Sequence, residues 1–269
     1  MTYSSYEIGS SAPLIETRLF AVSLLGASVQ SVHRAIAGYL GARLGINVEL
    51  SSGADWHQDF SDLVAGAAQL GFLCGLPYTK NSDRLDPLAA PVPVGDRYEG
   101  RPVYFTDLVV GGDSALLEVA DLRGARFAFN GRDSLSGWNA VIASVGTPRF
   151  FGELIESGAH LESLRMVVEG RADVAGIDST ILDLELGLDP TLGERLRVVS
   201  VIGPYPTPPV AASVVLSPQT RERLRAELIG MHQVPEGRGI LAAGLIRHFI
   251  PVSPPDYDPI RHIAQRVEL

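Results

Sequence analysis

Hydroxyl, imidazole and carboxylate side chains recur in the middle of the chain, each shortly after a run of apolar residues. Ser134 and Ser136 lie in the segment SLSGW, His160 follows Gly-Ala, and Asp178 follows an isoleucine. Serine hydroxyls, an imidazole and the free backbone N–H groups at a helix start all donate hydrogen bonds to the oxygens of an anion. A carboxylate such as Asp178 instead accepts hydrogen bonds from a cationic group. These residue types indicate a site for a small charged ligand.

Three predicted strands position these residues. Apolar runs predict strands over residues 125–129, 151–155 and 173–177, and a loop follows each strand. Ligands of open α/β sheets bind at the carboxyl edge of the strands. We therefore expect the serine segment, His160 and Asp178 to meet at one edge of a sheet.

Each of these residues also has a structural interpretation. Ser134 or Ser136 can simply cap the helix that follows, and Asp178 can cap the next helix. His160 can be a core histidine with a satisfied hydrogen bond. Gly137 is expected to let the backbone approach a ligand, since a side chain there would hold the backbone away.

The first part of the chain predicts a β-α-β-α-β unit. Its elements are strands over residues 18–24, 46–50 and 70–74 and helices over residues 30–44 and 55–65. Asp55 is the expected cap of the second helix, and Gly66 its end. Such a unit implies a parallel sheet with right-handed crossovers. At 269 residues, the chain is long for one hydrophobic core and comfortable for two lobes.

The composition excludes several classes of partner. The formal net charge is −9 and Lys80 is the only lysine among 22 basic residues, so no basic cluster suits nucleic acid or an anionic membrane. The single cysteine, Cys74, excludes an internal disulfide and a multi-cysteine metal site. No stretch is long or apolar enough to span a bilayer. We expect neither a cofactor, a metal nor a catalytic residue.

Several ordered motifs resemble one family. DLRG before the first central strand, SLSG after it, the GAH loop and EGRADVAGID are similar to the phosphonate/phosphate-binding proteins, over about residues 18–260. These proteins are the substrate-binding components of ABC importers. The resemblance implies an α/β fold of the type II periplasmic-binding class. In that fold each of two lobes is a mixed, mainly parallel sheet flanked by helices, with the ligand cleft between the lobes.

The resemblance also implies how the chain divides. Lobe one is expected to comprise residues 1–106 and 207–269, and lobe two residues 107–206. The chain is expected to cross between lobes near residues 104–109 and 203–209, and the prolines of the second crossing indicate a stiff connector. The protein is expected to act as a monomer, with a transporter permease as its partner if it is exported.

Three aromatic residues are further candidates for ligand contact. Trp56 and Tyr78 follow predicted strands, so both are expected at the rim of the cleft, where aromatic rings exclude water. Trp56 can equally fill space beneath a loop. By the resemblance, Tyr104 contacts the ligand near the first crossing, with a packed hinge tyrosine as the alternative.

The resemblance bears on the ligand as well. Related binders use an acid at the position of Asp178 to meet the amine of an aminoalkylphosphonate. Since an acid alone would repel an anion, a zwitterion that carries both an anionic group and an amine fits best. Leu135 stands between the two serines, where phosphonate binders often have another hydroxyl, and so removes one donor.

A second hypothesis is a cytoplasmic enzyme or ligand-sensing protein on the same fold, of the type that handles menaquinone or thiamine precursors. Residues 1–17 lack the basic start, apolar middle and cleavage site of a secretory signal. We therefore expect a periplasmic or cell-surface protein if a leader was removed, and a cytoplasmic one otherwise. The segment around Ser136 lacks the G-x-S-x-G pattern of a nucleophilic serine, which favours binding over hydrolysis.

Overall fold

The computed structural model describes residues 17–51, 53 and 55–267, and there the chain forms two β-sheets flanked by helices. The strands are β1 (Arg18–Ser23), β2 (Asn47–Leu50), β3 (Leu70–Phe72), β4 (Leu85–Pro93), β5 (Val103–Gly111), β6 (Arg126–Phe129), β7 (Glu153–Glu156), β8 (Val174–Asp178), β9 (Leu196–Pro206), β10 (Val210–Ser213) and β11 (Ile246–Pro251). The α-helices are α1 (Ala27–Leu44), α2 (Trp56–Ala65), α3 (Gly75–Lys80), α4 (Ala140–Val145), α5 (His160–Val168), α6 (Ser179–Leu188), α7 (Leu192–Arg195), α8 (Pro218–Gly230), α9 (Pro235–Ala243) and α10 (Asp258–Val267). None of these helices is both long and apolar enough to cross a membrane.

Sheet one has the strand order β11-β4-β10-β3-β1-β2. β1 pairs in parallel with β2 and with β3, which confirms the predicted parallel unit. β10 is antiparallel to β3 and β4, and β11 is antiparallel to β4. The carboxylate of Asp55 accepts a hydrogen bond from the backbone N–H of Gln58 at 3.0 Å, and α2 ends at Gly66 with a φ of 82°. Both predicted ends of this helix are therefore confirmed.

Sheet two has the strand order β7-β6-β8-β5-β9. Its three central predicted strands form as expected, because β6 pairs in parallel with β7 and with β8. β5 runs antiparallel to both β8 and β9. The carboxyl ends of β6, β7 and β8 consequently point the same way, and the loops that follow them meet at one edge of the sheet.

Two segments are more regular than the sequence indicated. Residues 203–206 are the last part of β9, which pairs there with Val103, and the second crossing near residues 203–209 stays a prediction. β9 is an edge strand of its sheet, and an edge strand tolerates proline because the lost N–H bond faces outward. The predicted loop at residues 75–78 is helix α3, with Pro77 in its first turn, where proline is tolerated.

One core cluster draws on both sheets. We call residues 103–206 the sheet-two segment and the described residues before and after them the sheet-one segment. Tyr104, Leu135 and Ala140 of the sheet-two segment pack with Leu76 and Ile260 of the sheet-one segment. We call this cluster the shared core. Helix α10, expected in lobe one, contacts both α3 and α4, so it also bridges the two segments. The lobe boundaries near residues 106 and 207 stay a prediction.

Candidate functional site

A cavity of about 440 Å³ lies between the two sheets. Polar residues line it from the sheet-two side, which we call the polar wall: Asn130, Ser134, Ser136, His160, Asp178 and Thr180. Apolar residues line it from the sheet-one side, which we call the apolar wall: Val29, Ile36, Phe72, Pro91, Pro93 and Phe249. The structure thus brings together the three predicted loops, and it sets a second sheet against them.

The serine loop is fixed by its own hydrogen bonds. The Ser134 hydroxyl accepts a hydrogen bond from the backbone N–H of Gly137 at 2.9 Å, so Ser134 caps the turn Leu135–Asn139 that leads into α4. The side chain of Asn139 donates to the backbone oxygen of Ser134 at 2.8 Å. The capping interpretation of Ser134 is therefore confirmed. Its hydroxyl proton is not used by that bond and remains able to donate into the cavity.

Ser136 and His160 meet although 24 residues separate them in the chain. The Ser136 hydroxyl lies 3.2 Å from Nε2 of His160, and Ser136 is almost completely buried. Burial lowers the pKa of His160 to about 4, because the cationic ring would lose its solvation. The imidazole is therefore neutral at pH 7. It can donate a hydrogen bond to an anion, but it brings no positive charge.

Gly137 is required by a neighbour that sequence reasoning missed. A β-carbon at this position would lie 1.8 Å from Oδ1 of Asn130, closer than any two such atoms can approach. Asn130 directly follows β6, and its buried Oδ1 has no hydrogen-bond partner among the described residues. An unpaired buried amide oxygen is costly unless a ligand or water meets it. The sequence could have indicated Asn130 as a candidate ligand-binding residue, because it directly follows a predicted strand.

Asp178 combines the two roles that the sequence left open. Its Oδ1 accepts hydrogen bonds from the backbone N–H of Thr180 at 2.8 Å and from the Thr180 hydroxyl at 2.7 Å, so Asp178 caps α6. It also lines the cavity while only 6% exposed. Burial raises the pKa of Asp178 to about 6, since a buried carboxylate is poorly solvated. At pH 7 the group is mainly ionised and can accept a bond from an amine.

Two polar side chains on the sheet-one side, Trp56 and His33, bond within the protein. The Trp56 indole N–H donates to the backbone oxygen of Leu24 at 3.2 Å, and the half-buried ring lines the cavity as predicted. His33 lies 2.7 Å from the Ser23 hydroxyl through Nδ1 and stacks on Phe72 with ring centroids 4.1 Å apart. Burial lowers the pKa of His33 to about 3, so this ring is also neutral. His33 was missed because it sits in the apolar stripe of a helix.

Tyr78 and Tyr104 are not brought to the cavity. Tyr78 is fully buried because α3 turns it inward against Tyr257, with ring centroids 4.9 Å apart. Tyr104 is also buried, in the shared core beside Tyr205, and burial raises its pKa well above the usual value. Both fill space beneath the site. The expected rim position of Tyr78 was therefore wrong. Tyr104 is packed, as the hinge alternative has it, but its hydroxyl also lies near Ser136, so its contact with a ligand stays a prediction.

Leu135 packs away from the ligand side. It is completely buried in the shared core, so the residue between the two serines anchors their loop to the sheet-one segment. Leucine at this position exchanges a hydrogen-bond donor for an apolar contact that holds the loop.

The charged residues that line the cavity all come from the sheet-two segment. They are Arg132, Asp133, Glu156 and Asp178. The Arg132 guanidinium lies over the Trp138 ring at 4.4 Å, and Asp133 forms an ion pair with Lys80 of the opposite segment at 3.6 Å. Three carboxylates against one guanidinium make this a poor site for an anion held by charge alone. An anion at this site therefore has to be held by hydrogen-bond donors.

Cys74 also lines the cavity. It follows β3, is half-buried, and burial raises the pKa of its thiol. A thiol with a raised pKa is protonated at neutral pH and reacts slowly.

Comparison with known proteins places this geometry in a family. The family model described as the periplasmic substrate-binding protein of phosphonate ABC transporters matches residues 25–257. A binding protein component of an ABC phosphonate transporter from Pseudomonas aeruginosa has a TM-score of 0.82 at 16% identity, over 93% of this chain and 86% of that one. PhnD1 from Prochlorococcus marinus, solved in complex with methylphosphonate, has a TM-score of 0.79 at 15% identity, over 93% and 98%.

A more distant likeness supports the same architecture. An ancestral arginine-binding protein bound to arginine has a TM-score of 0.59 at 15% identity, over 85% of this chain and 98% of that one. The shared fold is the predicted type II periplasmic-binding fold, with two mixed sheets flanked by helices. The chain belongs to the family of phosphonate substrate-binding proteins of ABC transporters.

Proposed function

We propose that this protein delivers a small phosphonate-like ligand, anionic or zwitterionic, to the permease of an ABC importer. The observation that carries the proposal is the contact of Ser136 with His160 at 3.2 Å, made by two separate loops at the wall of a cavity between two sheets. Closure of two lobes over a ligand is a common switch in binding proteins, and a permease can recognise the closed form.

A zwitterion suits the charges of the polar wall. The neutral His160, the two serines and the backbone N–H groups of the serine loop are donors for phosphonate oxygens. Asp178, mainly ionised at pH 7, is the acceptor for an amine on the same ligand. An aminoalkylphosphonate satisfies both groups, whereas inorganic phosphate leaves Asp178 facing an anion.

A thermal-shift and calorimetric comparison tests the proposal. The ligands are aminomethylphosphonate, 2-aminoethylphosphonate, methylphosphonate, phosphate, methylsulfonate and free amino acids. Binding to the native state raises the melting temperature by mass action, so aminoalkylphosphonates are expected to give the largest saturable shift. A shift with amino acids alone would overturn the phosphonate assignment.

Recovery of the ligand separates binding from catalysis. After incubation with stoichiometric protein, the bound aminoalkylphosphonate is expected to be recovered unchanged by phosphorus NMR. Conversion of the ligand to a new phosphorus species would favour the enzyme hypothesis. Reconstitution with the permease of a phosphonate importer, with uptake measured in proteoliposomes, tests the transport step.

A further inference from the structure

The cavity is larger than a phosphonate group needs. Its volume is about 440 Å³. With about 30 Å³ for each water-sized group, it holds roughly 15 non-hydrogen atoms. Aminomethylphosphonate has six, so it would fill well under half of that space. Binding sites of about 300–1,000 Å³ commonly hold ligands with a substantial apolar body.

The unfilled part lies against the apolar wall. Among the described residues that line the cavity from the sheet-one segment, none is a lysine, arginine, aspartate or glutamate. Val29, in the first turn of α1, and Pro91 line the cavity and are half-buried, so both expose apolar atoms to it. Such a surface gains free energy by covering apolar groups rather than water.

Two polar side chains on that side are already paired. His33 is bonded to the Ser23 hydroxyl and is neutral, and the Trp56 indole N–H is bonded to the Leu24 backbone. His57 also lines that side, from the first turn of α2, and is exposed. A second charged or strongly polar group placed against the apolar wall, away from His57, would therefore be desolvated without compensation. The walls together favour a molecule that is charged at one end and apolar at the other.

We propose that the preferred ligand carries an apolar substituent of roughly ten non-hydrogen atoms on its phosphonate-bearing carbon, seated against the apolar wall; the estimate follows from the share of volume left by the head. An aromatic or branched alkyl group fits. This inference rests on the proposed function, because the polar wall has to hold the charged head for the apolar body to reach the other side.

A homologous series of 1-aminoalkylphosphonates tests it by isothermal titration calorimetry on the full chain. The series runs from aminomethylphosphonate through 1-aminobutyl- and 1-aminohexylphosphonate to 1-aminoundecylphosphonate, with 1-amino-2-phenylethylphosphonate as the aromatic member, so that the head stays constant. The dissociation constant is expected to fall about fourfold for each buried methylene until the cavity is full. Equal or weaker binding of the longer members would overturn the inference and leave the proposed function intact.

A different pattern of affinities is expected if the polar wall does not bind the phosphonate group. If no member of the series binds, aminomethylphosphonate included, the proposed function fails together with the inference. If alkyl sulfonates and alkyl carboxylates of matched length bind as well as the phosphonates, the apolar body is supported and the phosphonate head is overturned.

Variants of Val29 locate the apolar body. Val29→Phe narrows the cavity and is expected to weaken the phenylethyl and hexyl compounds at least tenfold while changing aminomethylphosphonate less than twofold. Val29→Ser removes apolar surface without adding bulk and is expected to reduce the gain per methylene. Val201→Phe, at an exposed valine of β9, is the matched control with no expected change. Equal effects of Val29→Phe on short and long ligands would contradict the placement.

Discussion

The two walls of the cavity handle their polar groups in opposite ways. On the sheet-one side, His33 and Trp56 bond to Ser23 and Leu24 and leave an apolar surface. On the sheet-two side, Asn130 has a buried oxygen with no partner in the described part of the chain, and Asp178 keeps a carboxylate at a buried position. Unpaired polar atoms cost stability unless a ligand or water meets them. Under the proposed function, the polar wall receives the charged head of the ligand, and the apolar wall limits the size of the rest.

Removing the imidazole of the polar wall is expected to give the largest effect. His160→Ala should weaken an aminoalkylphosphonate about 10- to 100-fold, because a hydrogen bond to a charged group contributes about 1.5–3 kcal/mol. Calorimetry measures the affinity, and thermal unfolding of the ligand-free protein measures stability. A large loss of stability with unchanged affinity would mark His160 as structural.

The contact between Ser136 and His160 predicts that their effects are coupled. The double variant Ser136→Ala/His160→Ala is expected to lose less affinity than the sum of the losses of the two single variants, because the two side chains share one network. Ser144→Ala is the matched control, because the Ser144 hydroxyl bonds to the Val141 backbone within α4, away from the cavity lining. Strict additivity would contradict the shared network.

Asp178→Asn is expected to act in opposite directions on binding and on stability. It should weaken aminoalkylphosphonates about tenfold, as expected for a lost charged hydrogen bond of about 1.5 kcal/mol or more, and should change methylphosphonate little. Equal losses for the two ligands would argue against the amine contact. The same selectivity is expected to decline in the native protein as the pH falls below about 6, where the carboxylate gains a proton.

Asp178→Asn is expected to raise the free energy of unfolding at high pH, although it weakens binding. The pKa of Asp178 is raised from 3.8 to about 6 on folding, so the folded state holds its proton more tightly than the unfolded state. This contribution is fully present below pH 4 and is lost as the pH rises through 6. At pH 8 the asparagine variant should therefore be more stable than the native protein by about 1–3 kcal/mol, from roughly two pKa units. Chemical unfolding at pH 4 and pH 8 measures the difference.

A glycine on each side of the molecule provides a further contrast. Gly137→Ala should destabilise the protein by about 1–3 kcal/mol, since the new methyl group collides with Asn130. Gly38→Ala, in the exposed middle of α1 with nothing near its position, should stabilise it by about 0.5–1 kcal/mol. Urea unfolding measures both. A neutral Gly137→Ala would mean that Asn130 can move aside without cost.

The smallest expected effect concerns the ion pair that joins the two segments at the cavity. Lys80 and Asp133 are about half exposed, and such pairs contribute about 0.2–1 kcal/mol. Lys80→Ala is therefore expected to weaken ligand binding less than about fivefold, from at most 1 kcal/mol. The difference should vanish at high salt. Titrations at low and high ionic strength check both statements.

Local patterns predicted the regular elements well and the placement of side chains less well. The helix that begins at Asp55 and ends at Gly66 follows from capping chemistry, which acts over three or four residues. The meeting of the three loops follows from parallel pairing of β6, β7 and β8. The capping is encoded by neighbouring residues, and the parallel pairing follows from the alternation of strands and helices along the chain.

The errors concern contacts between distant segments. Tyr78 follows β3 and Tyr104 lies near the start of β5, and each ring packs against a partner more than 90 residues away, Tyr257 and Tyr205. Asn130 and His33 were missed for a different reason. Their partners Gly137 and Ser23 lie only 7 and 10 residues away, but no motif of the sequence marks either contact.

Cys74 gives the molecule a native chemical reporter. It is the only cysteine of the sequence and lies in the cavity wall. Burial raises the pKa of its thiol, so alkylation is slow while the two sheets are apposed and speeds up when solvent enters between them. The rate of modification by a maleimide therefore reports how accessible the Cys74 thiol is to solvent. A ligand in the cavity is expected to slow the modification of Cys74. Mass spectrometry of the protein measures that change in rate.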